Sequence, residues 1–427
     1  MRMQIIRTVI IAGAILLNSI TLTFAQDNKF YNAVQQKQFP ALQALLKEED
    51  FSAGAYLIYK AVLLNAFGKA DSSRLLLQQV RRSVVQSNDT LGYLYYTTKA
   101  DNSIKLFKYD DAADAYTHLS KHYGAFDKDD NKAEDKESIN MWRALKNVKP
   151  QTISQPAETV IQLRKDKANL WNINVTANDS VHSFIFDSGA GMSVITESYA
   201  SLLGLKIVGK GAYPVVSGIT GAVTRAKLGI ADKLKIGEIE VRNCVFLVFP
   251  DSSLSFGNGY YKLNGIIGFP VIKEMGTLEF VKNTLTIKRE NATNPYYANM
   301  TLDGLKPVIY LQHADELLPF TFDTGAQTSD LSDVFYNKYK MVLDKIGIVT
   351  EKRVGGASGA KTMKAVKVPE IILYCMEQKV VLKEANIMTE MIDTNRDIYY
   401  GNIGQDVIGQ FEKMIIDFKK SYIRLEH

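Results

Sequence analysis

The sequence predicts an α-helical region followed by an all-β region made of two lobes that arose by internal duplication. Three observations predict it. Apolar residues keep a helical period up to about residue 148. Beyond Pro150 they fall into short alternating runs, and a segment around Asp187 recurs around Asp323.

The helical period is clearest where Tyr109, Ala112, Ala113, Tyr116, Leu119 and Tyr123 share one face. Stretches 52–67 and 72–86 carry similar apolar stripes. Gly68 and the Ser87-Asn88-Asp89 cluster break them. Prolines are nearly absent here, with Pro40 near the start and Pro150 at the exit. Two readings of these helices stand side by side: tetratricopeptide-type pairs lacking a full repeat consensus, and an irregular bundle. Residues 127–137 mix both signs of charge and read as a solvated loop or helix face.

The β region is announced by Val160-Ile161-Gln162-Leu163, Trp171-Asn172-Ile173-Asn174-Val175 and Val245-Phe246-Leu247-Val248-Phe249. β-branched and aromatic residues alternate there, punctuated by Gly, Asn and Asp, as half-buried strands require. Within this region Phe184-Ile185-Phe186-Asp187-Ser188-Gly189-Ala190 recurs as Phe320-Thr321-Phe322-Asp323-Thr324-Gly325-Ala326, at an offset of 323 − 187 = 136. At that offset Ser193 matches Ser329, Thr196 matches Ser332, Glu197 matches Asp333 and Tyr199 matches Phe335. Gly265-Ile266-Ile267-Gly268 likewise meets Gly401-Asn402-Ile403-Gly404, since 404 − 268 is also 136. Two separate segments with one offset argue for a duplicated lobe. The expected divisions are a signal peptide at 1–25, a helical domain at 26–148, and lobes at 149–292 and 293–427.

Composition narrows the field less. The chain has 427 residues, 46% of them hydrophobic and 23% charged, with a formal charge of +5. Lys and Arg are dispersed among Asp and Glu, so no nucleic-acid footprint is present. Arg2 and Arg7 precede an apolar stretch from Val9 to Leu17, and Thr23-Phe24-Ala25 ends before polar Gln26. That order is a secretory signal with cleavage after Ala25, an uncleaved anchor being the alternative. The expected location is therefore periplasmic or extracellular, with no stable membrane span after cleavage, because no later run reaches the length of a span. Cys244 and Cys375 lie in separate strand-like contexts, so two buried thiols or one disulfide remain open and a disulfide scaffold is excluded.

The chemistry resides in the duplicated turn. Two carboxylates sharing one proton across a water hydrolyse an amide without metal, cofactor or covalent nucleophile. Neighbouring like charges split into one low and one raised apparent pKa, and the sequence leaves open which Asp holds the proton. In each copy a short apolar strand delivers the Asp to a turn whose hydroxyl residue and glycine allow close approach. Asp187-Ser188-Gly189-Ala190 and Asp323-Thr324-Gly325-Ala326 resemble the active-site motif of aspartic peptidases, with Ala fourth as in retroviral-type members. Gly265-Ile266-Ile267-Gly268 resembles the apolar-apolar-Gly element that braces this turn in the family, whereas Asn402 replaces an apolar residue in the second copy.

The resemblance covers about residues 155–427. It implies an all-β bilobal aspartic-peptidase fold with closed barrel-like lobes, a catalytic dyad of Asp187 and Asp323, and Ser188 and Thr324 hydroxyls that hold the loops together. Gly189 and Gly325 would permit the turn. It also implies a protein or peptide substrate and flaps over the cleft, for which Gly218, Gly221, Gly355 and Gly356 are candidates by their glycine-rich hairpin context. Ordinary hairpin turns are the alternative for those glycines. The function expected is an exported aspartic endopeptidase. The competing reading is a catalytically weak or inactive peptide-binding module that keeps the fold, its helical domain serving a protein partner. His118 and His122, four residues apart with Asp114 a turn earlier, are expected to face solvent rather than hold metal.

Overall fold

A computed structural model describes residues 29–126, 131–209, 211, 214–217, 223–256, 259–289, 298–356, 359–391 and 398–427. Residues 1–25, read from sequence as a signal peptide, therefore lie outside the described residues, and no described helix is long and apolar enough to cross a membrane.

Eight helices fill positions 29–144 among the described residues, and the first strand begins at Thr152. Their ends follow from local chemistry. Asn88 accepts hydrogen bonds from the N–H groups of Thr90 (2.8 Å) and Leu91 (3.3 Å), which starts the helix Asp89–Lys105. Gly68 ends the preceding run with φ of 71°. The stripe at 72–86 divides into Ala70–Leu77 and Arg82–Ser87, because i→i+3 bonds from Gln79 and Val80 tighten the chain between them. Gly92 sits inside a helix where a Cβ would lie 2.0 Å from the Tyr123 hydroxyl, so its absence lets the helix Tyr109–His122 pack close. His118 is half-buried, not solvent-facing as its spacing suggests, since it stacks on Tyr96 with centroids 3.7 Å apart. His122 is exposed.

The first β sheet closes on itself. Trp171–Ala177, Ser180–Phe186, Gly265–Ile267, Ser193–Thr196, Ile239–Phe249 and Lys227–Ile236 pair in that order, and the last pairs back to the first. This is a β-barrel lobe. A second sheet has the same pairing order in Lys306–His313, Glu316–Phe322, Gly401–Ile403, Asp330–Leu331, Gln378–Met388 and Gly359–Cys375. In both, the strand bearing the aspartate runs parallel to the short Gly-led strand: Ile185 and Phe186 pair with Ile266 and Ile267, and Thr321 and Phe322 with Asn402 and Ile403. A five-stranded antiparallel sheet draws Glu158–Gln162, Thr284–Lys288 and Thr277–Val281 together with Lys413–Asp417 and Tyr422–Glu426, so it takes strands from both sides of residue 292.

Period-2 alternation decides what each barrel strand buries. Phe184 and Phe186 point into a core that continues through Phe320 and Phe322. Ile185, Val194, Val245, Leu247 and Ile266 point the other way, and Phe107, Tyr109, Trp142 and Leu145 of the helices cover them. A buried polar chain reinforces this attachment. Lys105, 3% exposed, donates to Asn65 Oδ1 (2.9 Å) and to the carbonyl of Leu302 (3.1 Å), and Lys273 donates to the carbonyl of Lys105 (2.9 Å). Such an ammonium is retained in the interior only because its protons are used. Cys244 and Cys375 are buried free thiols, not joined in a disulfide.

Candidate active site

The parallel pairing positions both aspartates. The Asp187 N–H donates to the carbonyl of Ile267 (3.1 Å) and the Asp323 N–H to that of Ile403 (2.9 Å), so each residue leaves its strand at one level of the barrel. The turns that follow interlock. The Ser188 N–H donates to Thr324 Oγ1 (2.9 Å) and the Thr324 N–H to Ser188 Oγ (3.0 Å). The hydroxyls reach onward: Ser188 donates to the carbonyl of Phe322 (3.0 Å), and Thr324 to that of Phe186 (2.9 Å). Both residues are 1% exposed, so these four reciprocal bonds lie away from water, where an unmade bond is expensive.

This grip presses each glycine against the opposite acid. A Cβ at Gly189 would lie 2.4 Å from Cγ of Asp323, and one at Gly325 would lie 2.3 Å from Cγ of Asp187. Close approach, not an unusual φ, excludes side chains there. The two acids therefore lie beside each other across the paired turns. Burial, then the neighbouring Asp323, pushes Asp187 well above the usual carboxylate range. Opposing them, the N–H groups of Gly189 (2.8 Å) and Ala190 (3.0 Å) donate to Asp187 Oδ1. Asp323 Oδ1 accepts from the Gly325 N–H (2.7 Å).

Behind the turns, Ser193 Oγ accepts from the Gly268 N–H (3.1 Å) and Ser329 Oγ from the Gly404 N–H (2.9 Å). Neither glycine tolerates a Cβ, which would fall 2.6 Å from the backbone of Met192 or 2.8 Å from the carbonyl of Ala326. The matched serines were visible as a repeat, but sequence reasoning gave them no task. It also missed Gln405, which is buried and donates to the carbonyl of Thr324 (2.5 Å) while accepting from Lys165. Asn402, read as a departure from pattern, donates to Asp323 Oδ2 (3.1 Å) and accepts from the Thr321 hydroxyl (2.6 Å).

The flap candidates divide. Gly355 and Gly356 lie near the end of the hairpin Ile348–Gly356/Gly359–Cys375, paired with Ala360 and Gly359. Gly218 and Gly221 fall outside the described residues, between the paired strands Val215–Ser217 and Val223–Arg225. A separate surface cleft of about 470 Å3, lined by Thr196, Asp251, Lys262 and Asn264 among others, contains neither Asp187 nor Asp323. Among the described residues, no group of three or more His, Cys, Asp or Glu is placed to hold a metal.

Residues 173–271 match the model of a family described as aspartyl protease. The match includes Asp187 and the Gly265–Gly268 element, and stops short of Asp323. No curated protein matches the chain. With the geometry above, the match makes this part of the molecule an aspartic-protease-like domain.

Proposed function

We propose that this chain is an exported aspartic endopeptidase made of two duplicated lobes of retroviral type, with Asp187 and Asp323 as its catalytic pair. The observation that carries the reading is the placing of the two carboxyls side by side, each against the other turn's glycine, at turns that grip each other through Ser188 and Thr324. A turn stabilised only for folding would not place two acids against each other, because their repulsion costs stability. A hydrolase uses that repulsion to keep one acid protonated and one ionised near neutral pH.

In the proposed reaction the ionised carboxylate removes a proton from a water, and the water oxygen bonds to the peptide carbonyl carbon. The carbonyl π pair moves to its oxygen, which takes the proton of the other carboxyl. Collapse of this tetrahedral species breaks the C–N bond, and the amine leaves with a proton from the acid that first removed one. The substrate is an extended protein or peptide chain. The hairpin ending at Gly355-Gly356 serves as a lid that excludes water during these steps. Helical faces turned away from the first barrel are left for a protein partner.

The test uses purified full-length chain on fluorescein-labelled casein. Asp187→Asn and Asp323→Asn should each reduce cleavage by about 10²–10⁴-fold or more, with the fold intact by circular dichroism. Turnover that persists in either variant sinks the proposal. Binding of peptides without any cleavage by the native chain would instead favour a non-catalytic binding module. Export is checked by sequencing the N-terminus of cell-fractionated protein, which should begin at Gln26. Intact Met1 in the cytosol would contradict it.

A further inference from the structure

We propose that Asn402 is a positioning residue that holds Asp323 as the carboxylate and so leaves the shared proton on Oδ2 of Asp187. Its catalytic meaning rests on the peptidase reading, whereas the protonation pattern is a property of the folded chain alone. Both backbone donors that reach Asp187 end on Oδ1, and among the described residues no N–H reaches Oδ2. Asp323 is served differently. The Gly325 N–H ends on its Oδ1 and the Asn402 amide on its Oδ2, so each oxygen receives a donor. An ionised carboxylate only accepts hydrogen bonds, and donors to both oxygens favour that form. A carboxyl with one unengaged oxygen has room for a proton, and burial already pushes Asp187 in that direction.

The amide is oriented for the task. The Thr321 hydroxyl donates to Asn402 Oδ1 (2.6 Å), which turns the nitrogen toward Asp323. In the first barrel the position 136 residues earlier is Ile266, which has no donor to offer Asp187. The neighbouring charges are largely compensated. Asp330, across the ladder from Asn402, is ion-paired with Lys352. Asp406 accepts from the Ser329 N–H and hydroxyl, and Lys165 is engaged by Gln405. Each acid thus has two N–H donors, and Asn402 is the one that serves the second oxygen of Asp323, whereas the second donor to Asp187, the Ala190 N–H, falls on the oxygen already served. In turnover Asp323 takes the water proton and Asp187 gives its own to the carbonyl oxygen, so the pair exchanges protonation states as the tetrahedral species forms.

The test is a titration of the full chain labelled with ¹³Cγ aspartate, the two signals being identified by their loss in Asp187→Asn and Asp323→Asn. Asn402→Leu should raise the lower apparent pKa of the pair by about one unit, because the ionised form loses a donor. Thr321→Val should raise it by less. Leu introduces the apolar character that Ile266 already has in the first barrel, and Thr321→Val gives a second route should Asn402→Leu fail to fold. On fluorescein-casein the acidic limb of the rate profile should move to higher pH by the same amount. A lower pKa that stays put, or moves down, in a folded variant overturns the assignment. Casein cleavage that survives Asp187→Asn is a different result: it removes the peptidase reading and leaves the titration to be judged by itself.

Discussion

Ile185, Ile266 and Val194 in the first barrel occupy the same registers as Thr321, Asn402 and Asp330 in the second. Ile266 pairs with Ile185 on one side and Val194 on the other, and Asn402 pairs likewise with Thr321 and Asp330. One triplet is wholly apolar and the other wholly polar, though the residues between them, Phe184 and Phe186 against Phe320 and Phe322, are identical in type and equally buried. The outward face explains the difference. Trp142, Phe107 and Tyr109 cover the apolar triplet, while Thr321, Asn402 and Asp330 remain half-buried, Thr321 bonded to Asn402 and Asp330 ion-paired with Lys352. The helical region is therefore a structural part of the first barrel, supplying an outer layer that the second barrel does without at this triplet. The comparison also recasts Asn402. Asn402 is half-buried and makes hydrogen bonds there, where Ile266 lies under the helices.

The largest expected effect comes from the helical side of this contact. Trp142 is 5% exposed and stacks on Tyr109, with centroids 6.0 Å apart. Trp142→Ala should destabilise the chain by about 3–5 kcal/mol, read by chemical denaturation. A loss under about 1 kcal/mol would mean that the helices merely rest on the barrel. Next is the reciprocal exchange of the central residues. Ile266→Asn puts an amide beneath the helices without partners and should cost about 3 kcal/mol. Asn402→Ile, on the half-exposed face, should cost about 1 kcal/mol or less. Equal costs in both directions would refute the account of why the triplets differ.

How much of this was legible beforehand depends on which face carried the information. The inward faces and the turns were readable, because both copies of Phe-x-Phe-Asp-(Ser/Thr)-Gly-Ala must meet one steric demand and so keep one pattern. The helix around Tyr109 was readable because a single buried side sets its period, and the strands around Trp171 and Phe246, buried on both faces, were readable from their β-branched and aromatic residues. The outward faces were not. Nothing in Ile185 or Ile266 says that Trp142 will lie on them, since that contact joins positions more than forty residues apart in the chain. Asn402 looked like a defect for the same reason: its partners Thr321 and Asp323 are neighbours only after the parallel ladder forms. The division of 72–86 into two helices escaped notice because the turn at Gln79 and Val80 contains neither glycine nor proline.

The grip between the turns predicts an effect on rate that stability alone would not reveal. Alanine at Gly325 would drive its Cβ into the Asp187 carboxyl, and alanine at Gly189 into that of Asp323. The acids must separate by an ångström or more, and a displacement of that size reduces a positioned reaction by about a hundredfold. Both variants should therefore lose casein cleavage to a similar degree. If one kept near-native rates while the other lost them, the two turns would not be contributing as a matched pair.

The smallest effect concerns the acid held protonated. Asp187 has an ordinary value of 3.8 and is raised by burial and by Asp323, so the folded chain binds its proton more tightly than the unfolded one. The folded state therefore pays no penalty here below pH 3.8. The penalty grows as pH rises from that value through the raised one, because ionising Asp187 is harder in the fold than in the open chain. Each unit by which the group is raised is worth about 1.4 kcal/mol once pH exceeds it. Asp187→Asn retains the shape of the protonated acid and cannot ionise, so it escapes the penalty. Its stability relative to the native chain should be near zero at pH 3 and should increase steadily toward pH 8, measured by denaturant midpoints at several pH values. A difference that stays flat across that range would show that Asp187 is no harder to ionise in the fold than in the open chain.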